Sequence, residues 1–422
     1  MLRAGAATLD ITPPLGTKMP GLFHERRASD IHDPLFVRAF CVERDGAAVA
    51  VAVCDLIGVK RTYLDRAKAR IVREADLPSD RVLISCTHTH TGAETGDDAY
   101  TEGLVGRIVD AVRLARSRLE PAEVGWARAT EDRLVFNRRY RMADGAVRTN
   151  PGIGNPDARE PAGPVDPEVS VLSLRRPGGS TIGLLANYSL HYVGAGDSER
   201  QISADYFGYF SRIVQQMRGE TFVAALSNGA CGDVNNIDVK GGLRPDNRNY
   251  QHTERVAARV AAAALWAWNE MPFVSDAPVG GAMEEVALSR RPVSGADVAR
   301  AREIQARKEG TMAERGFARR VLRAAELPEK VPTYVQALRV GDLGIVGIPG
   351  ELFAELGLEI KRRSPFRQTC VIELANDSVG YLPTRRAFEE GGYEAESSPF
   401  TPGVGEMLVE TALNLLNRLQ NA

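Results

Sequence analysis

The chain has 422 residues and a mass of 45.8 kDa, with 53 Lys and Arg against 55 Asp and Glu for a formal net charge of −2. A chain of this length buries roughly three quarters of its unfolded surface, enough for one large domain or two ordinary ones. Near-neutral charge supplies no basic field for nucleic acid or an anionic membrane, and no apolar run approaches the ~20 residues that span a bilayer. Cys41, Cys54, Cys86, Cys231 and Cys370 are odd in number, have no CxxC spacing and sit in or beside apolar runs, which predicts buried reduced thiols. The N-terminus MLRAGAATLDITPP has no basic segment followed by an apolar core. The sequence as given therefore reads as soluble and cytoplasmic, or as periplasmic or secreted where a leader has been removed.

In chain order, strands are expected at 35–43 and 47–55, joined as a hairpin by the Arg44-Asp45-Gly46 turn. A helix at 62–75, a strand at 81–86 and a helix at 104–119, with Leu104, Ile108, Val109, Val112 and Ala115 at helical intervals, set an α/β rhythm. Residues 144–167 are rich in Gly, Pro, Asn and Asp without apolar period and read as a long ordered loop or lid. Strands follow at 169–174 and 181–187, then a helix at 206–217, a strand at 221–226 and a helix at 253–270. Residues 294–326, dominated by Ala, Arg and Glu, predict an exposed helical pair, an insertion or lid whose charges form a solvated face. Strands at 334–340 and 343–348, a helix at 351–363, a strand at 369–374 and a terminal helix at 405–419 complete the chain. No internal repeat of fixed period is visible. The fold class is α/β, mixed β-sheets with flanking helices in a single large domain, 1–422.

The segment RVLISCTHTHTGAE at 81–94 is an apolar run that stops at His88 and His90, two of only six histidines. A strand carries residues i and i+2 to one face, so both imidazoles are expected to look into one site. Imidazole is the commonest transition-metal ligand and the commonest general base near neutral pH. Other strand ends carry comparable chemistry: His191 follows 181–187, Pro349-Gly350-Glu351 follows 343–348, and Asn376, Asp377 and Tyr381 follow 369–374. Ligands in α/β sheets bind outside the carboxyl ends of the strands, so these groups can share a cleft. Two imidazoles, a carboxylate and a phenolate suit Zn²⁺ with an open position for water.

The Gly-, Asn- and Asp-rich stretch SNGACGDVNNID at 227–238 is shaped like an active-site wall, with backbone N–H groups and amide or carboxylate side chains in a tight turn. Its spacing does not fit an EF-hand. With no GxSxG elbow, Walker A loop or dinucleotide fingerprint, α/β serine hydrolases, P-loop nucleotide hydrolases and Rossmann dehydrogenases lose support.

The motifs THTHTG at 87–92, NRR at 137–139, the strand ending in His191, ISADYFGY at 202–209, GDVNN at 232–236, PGE at 349–351 and GYLPT at 380–384 occur in an order that resembles the neutral (non-lysosomal) ceramidase family. The resemblance covers nearly the whole chain and implies the N-terminal, catalytic-domain fold of that family. It implies His88, His191, Glu351 and Tyr381 as zinc ligands, His90 as a substrate-facing histidine, Arg138 as a substrate-side arginine anchoring a polar or anionic group, and Tyr393 as a second active-site tyrosine. Where the family has a serine after its GDV-type tripeptide this chain has Asn235, followed by Asn236 in place of proline. Nucleophilic serine catalysis is thereby excluded at that position. Asn235 or Tyr393 is left to donate to an oxyanion in a metal-water mechanism. Asp205 and Asp233 are candidates to orient a histidine N–H or bind the leaving group, or simply to cap a helix or turn. The chain also ends without the immunoglobulin-like C-terminal domain seen in ceramidases.

The resulting expectation is a zinc-dependent hydrolase of an amide, ester or lactone, acting on a small-molecule or lipid-like substrate with an acyl linkage that is smaller and more polar than ceramide. A true neutral ceramidase and a non-catalytic metal-containing binding module are the alternatives. Neither a nucleic-acid partner nor a transmembrane segment is expected, and the oligomeric state is open.

Overall fold

Residues 2–117, 123–269 and 279–420 repeat one topology in the computed structural model of the protein, which describes all residues except 23, 97, 193, 195–197, 220, 242–248 and 308. Each unit lays down three antiparallel strands and crosses through a helix to a fourth strand parallel to the third. A second helix then packs back on the unit's own sheet. The first unit uses strands Leu2–Asp10, Phe36–Arg44, Ala47–Cys54 and Val82–Cys86 with helices Arg61–Ala75 and Ala99–Ser117. The second uses Glu123–Thr130, Glu168–Arg175, Thr181–Tyr188 and Val223–Asn228 with Asp205–Arg218 and Tyr250–Asn269. The third uses Val279–Ser289, Lys330–Val340, Leu343–Gly347 and Gln368–Ile372 with Ala354–Arg363 and Val404–Gln420. Connections of very different length separate equivalent elements, which is why no fixed sequence period shows.

Both faces of each sheet are buried along its inner strands. In the first unit, Ala50, Ala52 and Ile84 pack under Ala67, Ile71, Ile108 and Val112 of its two helices. The alternate positions Val51, Val53 and Leu83 join Leu172 and Leu185 of the second sheet and Leu338, Ile345 and Ile372 of the third in one shared interior. Strands buried on both faces read as continuous apolar runs, as AVAVAVC at 48–54 does. This burial is the main cohesive term of the fold.

The fold agrees with the mixed α/β class, and the hairpin, the crossovers and the terminal helix lie where the periodicity predicts them. The first strand of each unit escaped the sequence reading. LRAGAATLD, EVGWARAT and VGGAMEEVALS are poor in β-branched residues, and pairing with the neighbouring strand decides their conformation. Residues 144–167 are not a single loop: Val147–Thr149 and Ala158–Pro161 flank Arg139–Met142 in a three-stranded sheet. Strands this short fall below any period. The helix expected from 351 starts at Ala354, because Glu351 and Leu352 pair in parallel with Tyr381 and Leu382. The pair Gly295–Ala306 and Met312–Glu326 forms as predicted around Ala301, Ile304 and Ala318, the second helix opening on a Thr311–Glu314 capping box. All five cysteines are buried and free, and no helix among the described residues is long and apolar enough to cross a membrane.

Lys68 is the one lysine that the first unit buries without a carboxylate in contact, its Nζ reaching only Ser79 O at 3.2 Å and Gln336 Oε1 at 3.5 Å among oxygen atoms. Burial pushes its pKa down to about 7. An unfolded lysine titrates near ~10.4, so between these values the unfolded chain binds more protons, stability rises with pH, and the penalty is complete below the folded pKa. Lys68→Met is expected to stabilise the protein by on the order of 1–3 kcal/mol at pH 6, with the gap narrowing towards pH 10. Urea midpoints at pH 6, 7.5 and 9.5 check this; a gap independent of pH refutes it.

Candidate metal centre and active-site cavity

Each unit delivers one or more side chains from the carboxyl end of its parallel strand pair. Val82–Cys86 leads to His88 and His90, Thr181–Tyr188 to His191, and Leu343–Gly347 to Glu351. The two leading histidines do not converge by strand alternation, because the strand ends at Cys86 and His88 adopts φ 69°. A non-glycine residue in the left-handed region is held there by its surroundings. The His88 N–H donates to Leu56 O at 2.9 Å and its Nδ1–H to Ile57 O at 2.8 Å, which turns the Nε2 lone pair inward. His90 is fixed by its backbone: the Arg26 guanidinium donates to its carbonyl, and its N–H donates to Asp205. Gly21, at φ +95°, packs on the ring; a Cβ there would lie 2.9 Å from His90 Cγ.

The imidazoles of His88, His90 and His191 offer ligand atoms within 4.8 Å of one another, a group that could hold a metal ion. His90 Nε2 and His191 Nε2 are 3.0 Å apart, while Glu351 Oε2 lies 3.5 Å from His88 Nε2 and 3.7 Å from His191 Nδ1. His88 Nε2 and Glu351 Oε2 are buried without any hydrogen-bond partner. Orphaned buried polar atoms are costly, and a cation between an inward lone pair and a carboxylate oxygen removes the cost of both. The donor set, imidazole nitrogens with one carboxylate, fits zinc. Burial pushes His90 down to about 3, with the neighbouring His88 adding to the effect. His191 is likewise driven well down, by burial and then by the Arg138 charge. Burial works against charge at His88 and Glu351 too, yet their mutual attraction prevails, raising the histidine and lowering the carboxylate.

Tyr381 sits in register with Glu351 across the short parallel pair, and its ring lies 5.6 Å from that of Tyr393. Both tyrosines line a cavity of about 400 Å³ together with His88, His90 and Glu351. Burial and the Glu351 carboxylate raise the Tyr381 phenol, while Arg138 opposes them.

Two residues expected on the substrate side have their polar groups engaged by the protein. Arg138 is buried and spends its donors on protein groups, with Nε on Glu394 Oε1 at 2.7 Å, Nη2 on Gly232 O at 2.8 Å and Nη1 on His191 Nδ1 at 3.2 Å. It stands against the His191 ring and is not among the residues that line the cavity. Asn235 is fully buried, its Nδ2 donating to Asn150 Oδ1 at 2.9 Å and its Oδ1 accepting from Ile237 N at 2.9 Å, and it too is absent from the lining. Both ends of its amide are engaged within the protein, one of them inside the 227–238 turn. Asp233 accepts from Ala354 N at the start of a helix and from Asn137 Nδ2, both at 2.8 Å. Asp205 accepts from Thr89 Oγ1 at 2.6 Å and from the His90 N–H, so it braces the histidine loop through backbone and hydroxyl groups.

Several participants carried no signal in the sequence. Glu394, fully buried, pairs with Arg138 and accepts from Thr149 Oγ1 at 2.6 Å. Glu373, behind the centre, accepts from Cys231 Sγ at 2.8 Å and is pushed up to about 8 by burial. Gly316, Arg319, Arg320 and Arg323 of the helical pair line the cavity, and Arg319 and Arg323 are also exposed, so the solvated face of the pair borders the site.

The fold and this centre define an α/β protein with a group able to hold a metal at the carboxyl ends of its sheets. The family model for the N-terminal part of neutral/alkaline non-lysosomal ceramidases matches residues 2–251, more than half of the chain, and the protein belongs to that family. The neutral ceramidase of Pseudomonas aeruginosa is 25% identical over 262 residues, 57% of this chain and 38% of that relative. The neutral ceramidase of Mycobacterium tuberculosis is 24% identical over 462 residues, 89% of this chain and 70% of that relative. The crystal structure of the P. aeruginosa neutral ceramidase matches the fold with a TM-score of 0.79 at 18% identity, over 100% of this chain and 74% of that one. A structure of a ceramidase complexed with C2 matches with the same TM-score and identity, over 100% and 75% of the two chains.

Proposed function

We propose that the protein is a zinc-dependent hydrolase that cleaves an amide, ester or lactone carbonyl in a substrate smaller and more polar than ceramide. The observation that carries this reading is the pair of orphaned buried atoms, His88 Nε2 and Glu351 Oε2, facing each other among three imidazoles at the base of a cavity. His88, His191, Glu351 and Tyr381 would hold the ion. Zinc in such a set supplies Lewis acidity and makes water acidic enough to act as a nucleophile near neutral pH. The Arg138 charge favours Tyr381 as phenolate and holds His191 neutral, which keeps a ring-nitrogen lone pair for the ion.

His90 is assigned to proton transfer because, of the three histidines, it alone is partly exposed. Its neutral imidazole can accept a proton from attacking water and return it to the leaving group. Tyr393, at the cavity wall, donates its phenolic O–H to the developing oxyanion. His90→Ala is expected to keep its zinc and lose on the order of 10²–10⁴-fold in turnover. Loss of zinc instead would make His90 a ligand and refute this division of labour.

The decisive experiment combines metal analysis of the purified protein with a panel of esters, lactones and N-acyl amides run beside a ceramide. Absence of bound metal, or full activity after chelation, removes the metallohydrolase reading. Preference for the ceramide would establish the second reading, neutral ceramidase, which the names of the relatives favour. Bound metal without any turnover would leave a binding module.

A further inference from the structure

The helix Met312–Glu326 turns one stripe onto the active-site cavity and buries another. Ala318 is packed with Ala301 and Ile304, and Phe317, Val321 and Leu322 lie against them, so the helix is anchored in its rotation. The cavity-facing positions Gly316, Arg319, Arg320 and Arg323 follow at intervals i, i+3, i+4 and i+7, a single helical stripe. A Cβ on Gly316 would lie 3.2 Å from Arg320 Nη1, so the glycine leaves room for that guanidinium. The Arg323 guanidinium reaches the floor, its Nη2 only 3.9 Å from where a Cβ on Gly380 would sit, immediately before Tyr381.

Arginines outnumber carboxylates among the lining residues. Three guanidinium groups line the cavity against one carboxylate, Glu351, which faces His88 and His191. Arg320 leans on Glu396 at 3.4 Å, a carboxylate 59% exposed to solvent. Arg323 has no ion-pair or hydrogen-bond partner among the described residues. Like charges at i and i+4 destabilise a helix, and an anion between Arg319 and Arg323 turns that repulsion into attraction. Guanidinium forks match carboxylate and phosphate oxygens in pairs. Arg138, the other arginine of the site, has its donors committed to Glu394, Gly232 and His191.

We propose that Arg319 and Arg323 bind an oxyanion, a carboxylate or phosphate, on the part of the substrate distal to the scissile carbonyl, so that the enzyme selects anionic acyl compounds. The proposal rests on the hydrolase reading of the same site and names its substrate class.

Two measurements on the purified protein, with metal content determined for every variant, test it. In the first, kcat/KM is compared for an N-acyl amino acid with a free carboxylate and for its methyl ester or carboxamide. Wild type is expected to favour the anion by at least about tenfold, and the ratio to collapse towards one in Arg319→Gln/Arg323→Gln, with the single variant Arg323→Gln intermediate. In the second, calorimetry measures binding of glutarate, inorganic phosphate and the neutral glutaramide. Glutarate or phosphate binding at least about tenfold tighter than glutaramide in wild type and not in the double variant supports the proposal, and whichever oxyanion binds tighter identifies the group. No discrimination in wild type, or an equal ratio in wild type and variants, overturns it. Discrimination in binding without hydrolysis of any substrate would overturn the hydrolase reading and leave the anion site standing.

Discussion

Glu351→Gln is expected to strip most of the bound zinc and to lower turnover by on the order of 10³-fold or more, a loss of about 4 kcal/mol in transition-state stabilisation. The substitution keeps volume and removes charge. Glu351 lines the cavity and is the carboxylate closest to the imidazoles, its Oε2 3.5 Å from His88 Nε2 and 3.7 Å from His191 Nδ1. A neutral amide is a poor zinc ligand beside the imidazoles of His88 and His191, so the centre loses its carboxylate donor. His88→Ala is expected to act in the same direction by deleting the second orphaned atom. Inductively coupled plasma analysis and turnover, measured on one preparation, check the pair. A Glu351→Gln protein with full zinc and full activity would refute the proposed centre.

Arg138→Met is expected to destabilise the protein by about 3–5 kcal/mol, because it leaves Glu394 as a buried carboxylate without its principal partner. Glu394 would keep the Thr149 hydroxyl at 2.6 Å and the Arg139 guanidinium at 3.8 Å, neither of which replaces a charged contact at 2.7 Å. The same change removes the guanidinium from beside His191 and leaves Gly232 O without its donor. Restoring charge alone does not suffice, since Arg138→Lys cannot serve Glu394, Gly232 and His191 at once from one ammonium. Arg138→Met combined with Glu394→Gln should recover part of the stability, while turnover stays low because His191 is no longer oriented. Urea unfolding of the three variants, read against their activity, separates the structural part of the effect from the positioning part.

Much of the α/β framework was legible because strands buried on both faces are apolar throughout, and the helices that cover them keep a 3.6-residue period. The threefold repetition was not. Its units share topology and not sequence spacing, and the opening strand of each is too polar or too glycine-rich to announce itself without its neighbour. The site was legible as a set of residue types at strand ends, His88, His90, His191 and Glu351, which the fold gathers at one cavity.

The division between sequence and tertiary structure runs through the arginines. From the sequence alone came the inventory: histidines after apolar runs, a carboxylate after another, motifs in the order of a family to which the protein belongs, and Asn235 where a serine nucleophile is excluded. Only the tertiary structure decided where each arginine sits and what it touches. Arg138 lies beside the active-site motifs in sequence order yet is buried and fully committed, whereas Arg319 and Arg323, in a segment that reads as solvated helix, line the cavity. The physical reason is that local periodicity determines which stripe of a helix is polar, but only long-range packing determines whether that stripe also borders a cavity.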